Sequence, residues 1–74
     1  MGTKRISLSE HAINALLFAY KYSDSFHYFN QDAKTLRAIN RLAHFGLVSV
    51  DRIYNTFMIT VKGMRYINEH EHMY

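Results

Sequence analysis

Residues 32–46 read Asp-Ala-Lys-Thr-Leu-Arg-Ala-Ile-Asn-Arg-Leu-Ala-His-Phe-Gly, and this pattern predicts a helix with two chemically different faces. At helical spacing, the apolar face consists of Leu36, Ile39, Leu42 and Ala43, with Thr35 beside them. The opposite face carries a stripe of basic side chains, Lys34, Arg37, Arg41 and His44. Asp32 suits the helix start, and Gly46 suits the residue after the helix end because glycine adopts the left-handed conformation at little cost. A helix that is buried on one side and cationic on the other fits the major groove of a nucleic-acid duplex.

Two short strands and a last helix are predicted after Gly46. The first strand is expected at Leu47, Val48 and Val50. The second is expected where Phe57, Ile59 and Val61 alternate with Thr56, Met58 and Thr60. Residues 51–55 form the hairpin loop between these strands. Thr60 is the predicted N-cap of the last helix, which turns Met64 and Ile67 inward, and the tail from Glu69 to Tyr74 is expected to fray.

The N-terminal part of the chain predicts one more helix. Ser7-Leu-Ser-Glu10 fits a capping box with Ser7 as N-cap, and the apolar pattern that follows places a helix at about residues 8–22. Residues 23–31 are compatible with a short helix or with a brief extended piece. Their aromatic side chains, Phe26, Tyr28 and Phe29, are expected to lie mostly in the core. The predicted core is Ile13, Leu16, Leu17, Leu36, Ile39, Leu42, Leu47, Phe57, Ile59 and Ile67.

Two segments resemble parts of a winged helix-turn-helix domain. The first, Thr35-Leu-Arg-Ala-Ile-Asn-Arg-Leu-Ala-His-Phe-Gly-Leu-Val48, resembles the family's recognition helix running into its first wing strand. The second, Phe57-Met-Ile-Thr-Val-Lys-Gly63, is similar to the second wing strand and the following helix start of many bacterial transcription regulators. Residues 23–31 are shorter and more aromatic than the family's usual second helix, and the wing loop is short, with one arginine.

The resemblance implies an α+β fold with about three to four helices and a two-stranded β-hairpin wing. It implies one domain over residues 1–74, with an ordered core at about residues 7–68. The basic helix would enter the major groove, and the loop from Arg52 to Asn55 would reach toward the DNA backbone or minor groove. The residues predicted to bind nucleic acid are Gln31, Lys34, Thr35, Arg37, Asn40, Arg41, His44, Arg52, Tyr54, Asn55 and Lys62.

Composition agrees with one small globular domain that favours an anionic partner. The 74 residues are 49% hydrophobic and include no cysteine, so neither a disulfide framework nor a thiolate metal site is predicted. The net charge is +3, and six basic residues but one acid, Asp51, lie between Lys34 and Arg65. The longest apolar run, from Ala15 to Tyr20, is too short for a membrane span, and no signal-peptide pattern is present, so a cytoplasmic location is expected.

Neither a catalytic site nor a metal or cofactor site is predicted. His70 and His72 are two residues apart near a helix end, so their side chains face different directions. His11 and His27 stand alone among apolar neighbours and are expected at the edge of the core. The chain has no glycine-rich phosphate loop and no metalloprotease-type histidine pair.

Two functions from different classes remain open. The leading hypothesis is a small DNA-binding transcription regulator of a bacterium or phage, with double-stranded DNA as its partner. The alternative is a winged-helix interaction module that binds and modulates a host protein. In the alternative, the basic stripe is either a docking surface for an acidic protein or a solvated helix face. A homodimer is compatible with both, and RNA binding is less favoured because no aromatic platform on a sheet is evident.

Overall fold

The computed structural model describes residues 8–70, which form an α+β fold of three helices and a three-stranded antiparallel sheet. In chain order the elements are α1 (Glu10–Lys21), β1 (His27–Tyr28), α2 (Ala33–His44), β2 (Val48–Asp51), β3 (Thr56–Ile59) and α3 (Val61–His70). The central strand is β3, which pairs with β1 on one side and with β2 on the other. Within residues 8–70, no helix is both long and apolar enough to cross a lipid bilayer.

The first helix begins later than the sequence pattern predicts. Ser9 is the N-cap of α1, and its side chain accepts a hydrogen bond from the backbone N–H of Ala12 at 3.1 Å. The capping box that starts at Ser7 falls on a residue outside the described range. Capping by Ser9 places Glu10 in the first turn, where a negative charge interacts favourably with the helix dipole.

The predicted limits of the basic helix are confirmed. The carboxylate of Asp32 caps α2 and accepts a hydrogen bond from the backbone N–H of Thr35 at 3.2 Å. At the other end, Gly46 has a φ of +75°. The N–H groups of Gly46 and Leu47 donate to the carbonyl groups of Ala43 and Leu42, each at 2.9 Å. These bonds satisfy carbonyl groups at the end of the helix and turn the chain into β2.

The Asp32 cap makes stability depend on pH in acid. Hydrogen bonds from the Thr35 side chain and backbone lower the pKa of Asp32 below its ordinary value of 3.8. Because this pKa is lower in the folded than in the unfolded state, the ionised carboxylate stabilises the fold at pH values above 3.8. This contribution is lost as the pH falls through the folded-state pKa. Asp32→Asn keeps a capping oxygen. We expect it to weaken the pH dependence of the free energy of unfolding, measured by urea denaturation, below about pH 4. An unchanged acid profile would contradict this assignment, and Asp24→Asn, at an exposed loop carboxylate, is the matched control.

The sheet contains a third strand, in the segment for which the sequence pattern left a short helix or a brief extended piece open. Residues 27 and 28 of the uncertain segment form β1, in which His27 pairs with Phe57 and Tyr28 with Thr56. The predicted hairpin of β2 and β3 is present, but the prediction of two strands is wrong because β1 makes the sheet three-stranded. A two-residue strand has too few residues to show alternation, and it exists through pairing with a partner far along the chain.

Three more side chains lie elsewhere than predicted. Phe26 and Tyr28 are exposed instead of buried, while Phe29 is half-buried and its ring packs edge-on against the ring of Phe57. Val61 is exposed and begins α3 instead of ending the second strand. The strand stops at Ile59 because the hydroxyl of Thr60 caps the next helix, as predicted, by accepting a hydrogen bond from the N–H of Gly63 at 3.0 Å.

The core lies between the helices and one face of the sheet. Of the predicted core, Leu16, Ile39, Leu42, Leu47, Phe57, Ile59 and Ile67 are buried, and Ile13, Leu17 and Leu36 are half-buried. Four buried hydrophobic residues were not predicted, namely Ala12, Ala19, Ala38 and Val48. The three alanines let α1 and α2 approach their neighbours closely. They were not predicted because the predicted core was chosen from large apolar side chains.

The start of α3 is tied to the end of α2. The hydroxyl of Thr60 donates a hydrogen bond to the carbonyl of Gly46 at 2.7 Å, and the N–H of Thr60 donates to the carbonyl of Leu47 at 3.0 Å. Gly63 is buried directly against the backbone of Leu47. Met64 is half-buried and Ile67 is buried, and α3 continues through Glu69 to His70.

Candidate nucleic-acid interface

The basic side chains of α2 form one exposed surface, which we call the cationic ridge and define as Lys34, Arg37, Arg41 and His44. All four side chains are exposed. The other side of the helix contributes Ala38, Ile39 and Leu42 to the core. The core therefore fixes the direction in which the ridge points. All four basic side chains remain exposed although the opposite side of α2 is buried.

Phe45 organises the C-terminal half of the cationic ridge. The guanidinium of Arg41 lies 5.1 Å from the centre of the Phe45 ring, a cation–π distance. The His44 ring meets the same ring edge-on, with centroids 5.0 Å apart. Phe45 is half-buried and packs against the core. A half-buried aromatic side chain thus supports two members of the ridge from below.

A hydrogen bond joins the hairpin loop to α2. Arg52 Nη2 donates to Asn40 Oδ1 at 2.7 Å, and both side chains are exposed. Both residues were predicted to bind nucleic acid, and the fold brings them together across twelve residues of sequence. Because the donor is a guanidinium, the bond is charge-assisted. It places the positive charge of the loop beside the cationic ridge.

The tip of the hairpin loop has a defined conformation. Asp51 Oδ1 accepts hydrogen bonds from the backbone N–H groups of Ile53 at 2.9 Å and Tyr54 at 3.2 Å. Asn55 has a φ of +56°, which asparagine tolerates better than most residues, and its carbonyl accepts a hydrogen bond from the N–H of Phe29 at 3.1 Å. The loop therefore presents Ile53 and Tyr54, both exposed, on a braced backbone.

A surface cleft of about 730 Å³ runs between α1 and α2 beside the cationic ridge. Its walls are formed by Ser9, Glu10, His11, Asn14, Lys34, Arg37, Ala38 and Arg41. Three members of the ridge thus face polar side chains from the first turns of α1. Sequence reasoning did not include His11 or Asn14 in the candidate site, because the approach of α1 to α2 is a tertiary contact with no local pattern.

The remaining predicted residues lie around the cationic ridge. Thr35 is half-buried, and its hydroxyl lies 3.2 Å from His11 Nε2, so it faces α1 and not the centre of the ridge. Gln31 is exposed just before α2. Lys62 is exposed in the first turn of α3 and lies next to Gly46, near the C-terminal end of the ridge.

The histidines do not form a metal site in the part of the chain that the structure describes. No group of three or more histidine, aspartate or glutamate side chains there could hold a metal ion. His11 is exposed and lies beside Thr35, as described above. His27 is half-buried, with Nε2 at 2.9 Å from the carbonyl of Tyr22, and packs against aromatic rings. His72 lies outside the described residues.

Comparison of the chain with protein-family models, with curated proteins and with solved structures found no match.

Proposed function

We propose that this chain is a small DNA-binding protein of winged-helix architecture that places α2 in the major groove and acts as a transcription regulator. The observation that carries the proposal is the cationic ridge, whose four basic side chains are exposed on a helix held by the core from behind. In this assignment α2 is the recognition helix and the loop between β2 and β3 is the wing. Strand β1 occupies the segment where the family's second helix would be expected.

The dimensions of α2 suit this role. From Lys34 to His44 the cationic ridge extends about 15 Å along the helix axis, since each residue adds about 1.5 Å. The major groove of B-form DNA is about 12 Å wide and admits one α-helix. Arg37, near the middle of the ridge, is the candidate for a guanine edge, whereas Lys34 at the N-terminal end is the candidate for a phosphate.

The contact between the wing and α2 limits what Asn40 can recognise. Its Oδ1 accepts a hydrogen bond from Arg52, so the side chain offers base edges its amide N–H groups. Those donors match acceptors such as guanine N7 and O6 or thymine O4. Recognition of adenine by Asn40 uses the amide oxygen as well, and that oxygen would then accept from adenine and from Arg52 through its two lone pairs. The other N–H groups of Arg52 remain available to a phosphate.

A salt titration tests the proposal as a whole. If Lys34, Arg37, Arg41, Arg52 and Lys62 meet phosphates, about four to five contacts release counterions, and log affinity should fall against log salt with a slope near −4. Between about 50 and 200 mM salt, such a slope corresponds to roughly 250-fold weaker binding of duplex DNA. The measurement is fluorescence anisotropy with a labelled random-sequence duplex. Absence of binding at about 50 mM salt, or a slope near zero, would remove the DNA proposal.

Removal of one arginine tests the position of the DNA surface. We expect Arg37→Ala to lower affinity for duplex DNA and to leave the melting temperature unchanged, because Arg37 is exposed and faces away from the core. The loss should be about 1–3 kcal/mol if Arg37 contacts a guanine edge, and should then be confined to sequences that carry that guanine. Arg65→Ala removes an exposed arginine from α3 and is the matched control. Equal losses in both variants would show that net charge, and not the ridge, governs binding.

The second candidate function is an interaction module for an acidic protein. Its support is the exposed pair Ile53 and Tyr54, which are 84% and 68% exposed at the tip of the hairpin loop. Arg52 links this loop to α2, so apolar and cationic side chains are adjacent. A protein partner would make Ile53→Ser reduce binding as strongly as Arg37→Ala. Titration of an acidic protein in parallel with DNA distinguishes the two functions.

A further inference from the structure

A second surface, formed by α1 and β1, is aromatic. We call it the aromatic patch and define it as Phe18, Tyr22, Phe26, His27 and Tyr28. The Phe18 ring lies 5.1 Å from the Tyr22 ring and 4.8 Å from the His27 ring, measured between centroids. Phe26 and Tyr28 are 61% and 83% exposed. Four large aromatic side chains are therefore exposed to solvent on this surface, and His27 connects them to the buried Phe57.

The aromatic patch surrounds the edge of the sheet. Among residues 8–70, strand β1 pairs with β3 on one side and with no strand on the other, since the strand order is β1-β3-β2. Successive side chains of a strand point to opposite faces, so Tyr28 lies on the face opposite His27. The His27 ring contacts Phe18 and Phe57, which places it on the α1 side. Any partner that covers both faces of this patch at once must lie along the edge of β1.

The charge of the surroundings favours a second copy of the chain over a polyanion. Lys21 Nζ lies 5.6 Å from the centre of the Tyr22 ring, and the exposed Asp24 follows two residues after Tyr22. These two charges cancel, so two copies can meet at the aromatic patch without net repulsion. The cationic ridge, in contrast, would repel a copy of itself. A surface without net charge also offers no electrostatic attraction to DNA.

The exposed aromatic area is close to what a specific dimer needs. Phe18 and Tyr22 are 49% and 45% exposed, in addition to Phe26 and Tyr28. With about 200 Å² for each aromatic side chain, these four expose roughly 480 Å² per copy, or about 950 Å² in two copies. Adjacent backbone and polar side chains add to this value, which brings the total above the roughly 1,000 Å² expected of a specific interface at the weak end of the range.

We propose that the chain forms a two-fold symmetric homodimer in which β1 of one copy pairs with β1 of the other, and the two aromatic patches cover each other. A two-fold axis through the pair makes the β1 strands antiparallel and joins the two sheets into one of six strands. The same surface serves both copies, so the assembly closes at two and does not grow further. Self-association occurs in the absence of DNA.

Sedimentation equilibrium of the protein alone tests the dimer. The weight-average mass should rise from the monomer value of 8.8 kDa toward twice that value as the concentration increases from about 5 to about 500 µM, as expected for a small interface. A mass of 8.8 kDa across the whole range would overturn the proposal. Because DNA is absent, this result is independent of the salt titration, and either experiment can fail without the other.

Charge insertion tests the surface. Tyr28→Lys and Phe26→Lys should each abolish dimerisation and leave the melting temperature of the monomer within a few degrees of the parent, because both side chains are largely exposed. Ile53→Lys inserts the same charge at an apolar position that is equally exposed but lies on the hairpin loop, and should still dimerise. Dimers that persist in both variants at β1, or that are lost in all three variants, would overturn the assignment of the interface.

Discussion

Replacement of Gly63 by alanine is expected to destabilise the protein by about 3 kcal/mol, although alanine normally strengthens a helix. Gly63 is buried in the first turn of α3. An added Cβ would overlap the carbonyl oxygen of Leu47 and lie 2.7 Å from Cγ1 of Ile59. The carbonyl cannot move freely because it accepts the hydrogen bond from Thr60 that starts α3. For a domain of this size, such a loss lowers the melting temperature by roughly 12–24 °C.

The sign of the effect makes this experiment decisive. Helix propensity alone predicts that Gly63→Ala stabilises α3 by up to about 1 kcal/mol. Close packing against Leu47 predicts the opposite. Lys62→Ala, at the adjacent exposed position, exchanges two good helix formers and should change the melting temperature little. A Gly63→Ala variant as stable as the parent would show that α3 does not approach the backbone of Leu47 so closely.

Leu42→Ala should be among the most harmful substitutions in the core. Leu42 is fully buried on the core side of α2. Truncation removes apolar contacts and leaves a cavity, which costs about 2–5 kcal/mol for a leucine at a fully buried site. For a small domain at the lower end of the usual 5–15 kcal/mol, this loss leaves much of the population unfolded at physiological temperature. Thermal unfolding followed by circular dichroism provides the measurement.

Leu36→Ala gives the matched comparison for Leu42→Ala. The same side chain is removed from the same helix, but Leu36 is only half-buried. Its loss should therefore cost clearly less than the loss of Leu42, because less apolar surface returns to water and the cavity can fill with solvent. Equal effects of the two substitutions would mean that α2 is rotated about its axis relative to the structure.

The sequence predicted α2 well because every signal for it is local. Asp32 and Gly46 mark its ends through hydrogen bonds that span only a few residues. The hairpin of β2 and β3 was predicted for the same reason, since alternation is visible within each strand. The burial of Ile39 and Leu42, with Arg37 exposed, follows directly from helical spacing.

The features that were missed depend on contacts between distant residues. Strand β1 exists only because β3 pairs with it, and this pairing leaves Tyr28 exposed, although a cluster of aromatic residues usually indicates a core. The hydrogen bond between Asn40 and Arg52 requires the hairpin to lean toward α2, which no local pattern encodes. The cleft beside the cationic ridge likewise depends on where α1 crosses α2. For the candidate site, the sequence could show which residues form the cationic ridge but not which residues of other elements lie beside it.

The position of β3 in the middle of the sheet has a consequence for how the chain folds. Its two neighbours, β1 and β2, both precede it in the sequence, and neither pairs with the other. While the chain emerges from a ribosome, β1 and β2 therefore have no partner until residues 56–59 arrive. The helices before that point also lack much of the surface on which they pack, including Phe57 and Ile59. Sheet and core should consequently form together in one cooperative step, with no stable intermediate made of the first half of the chain.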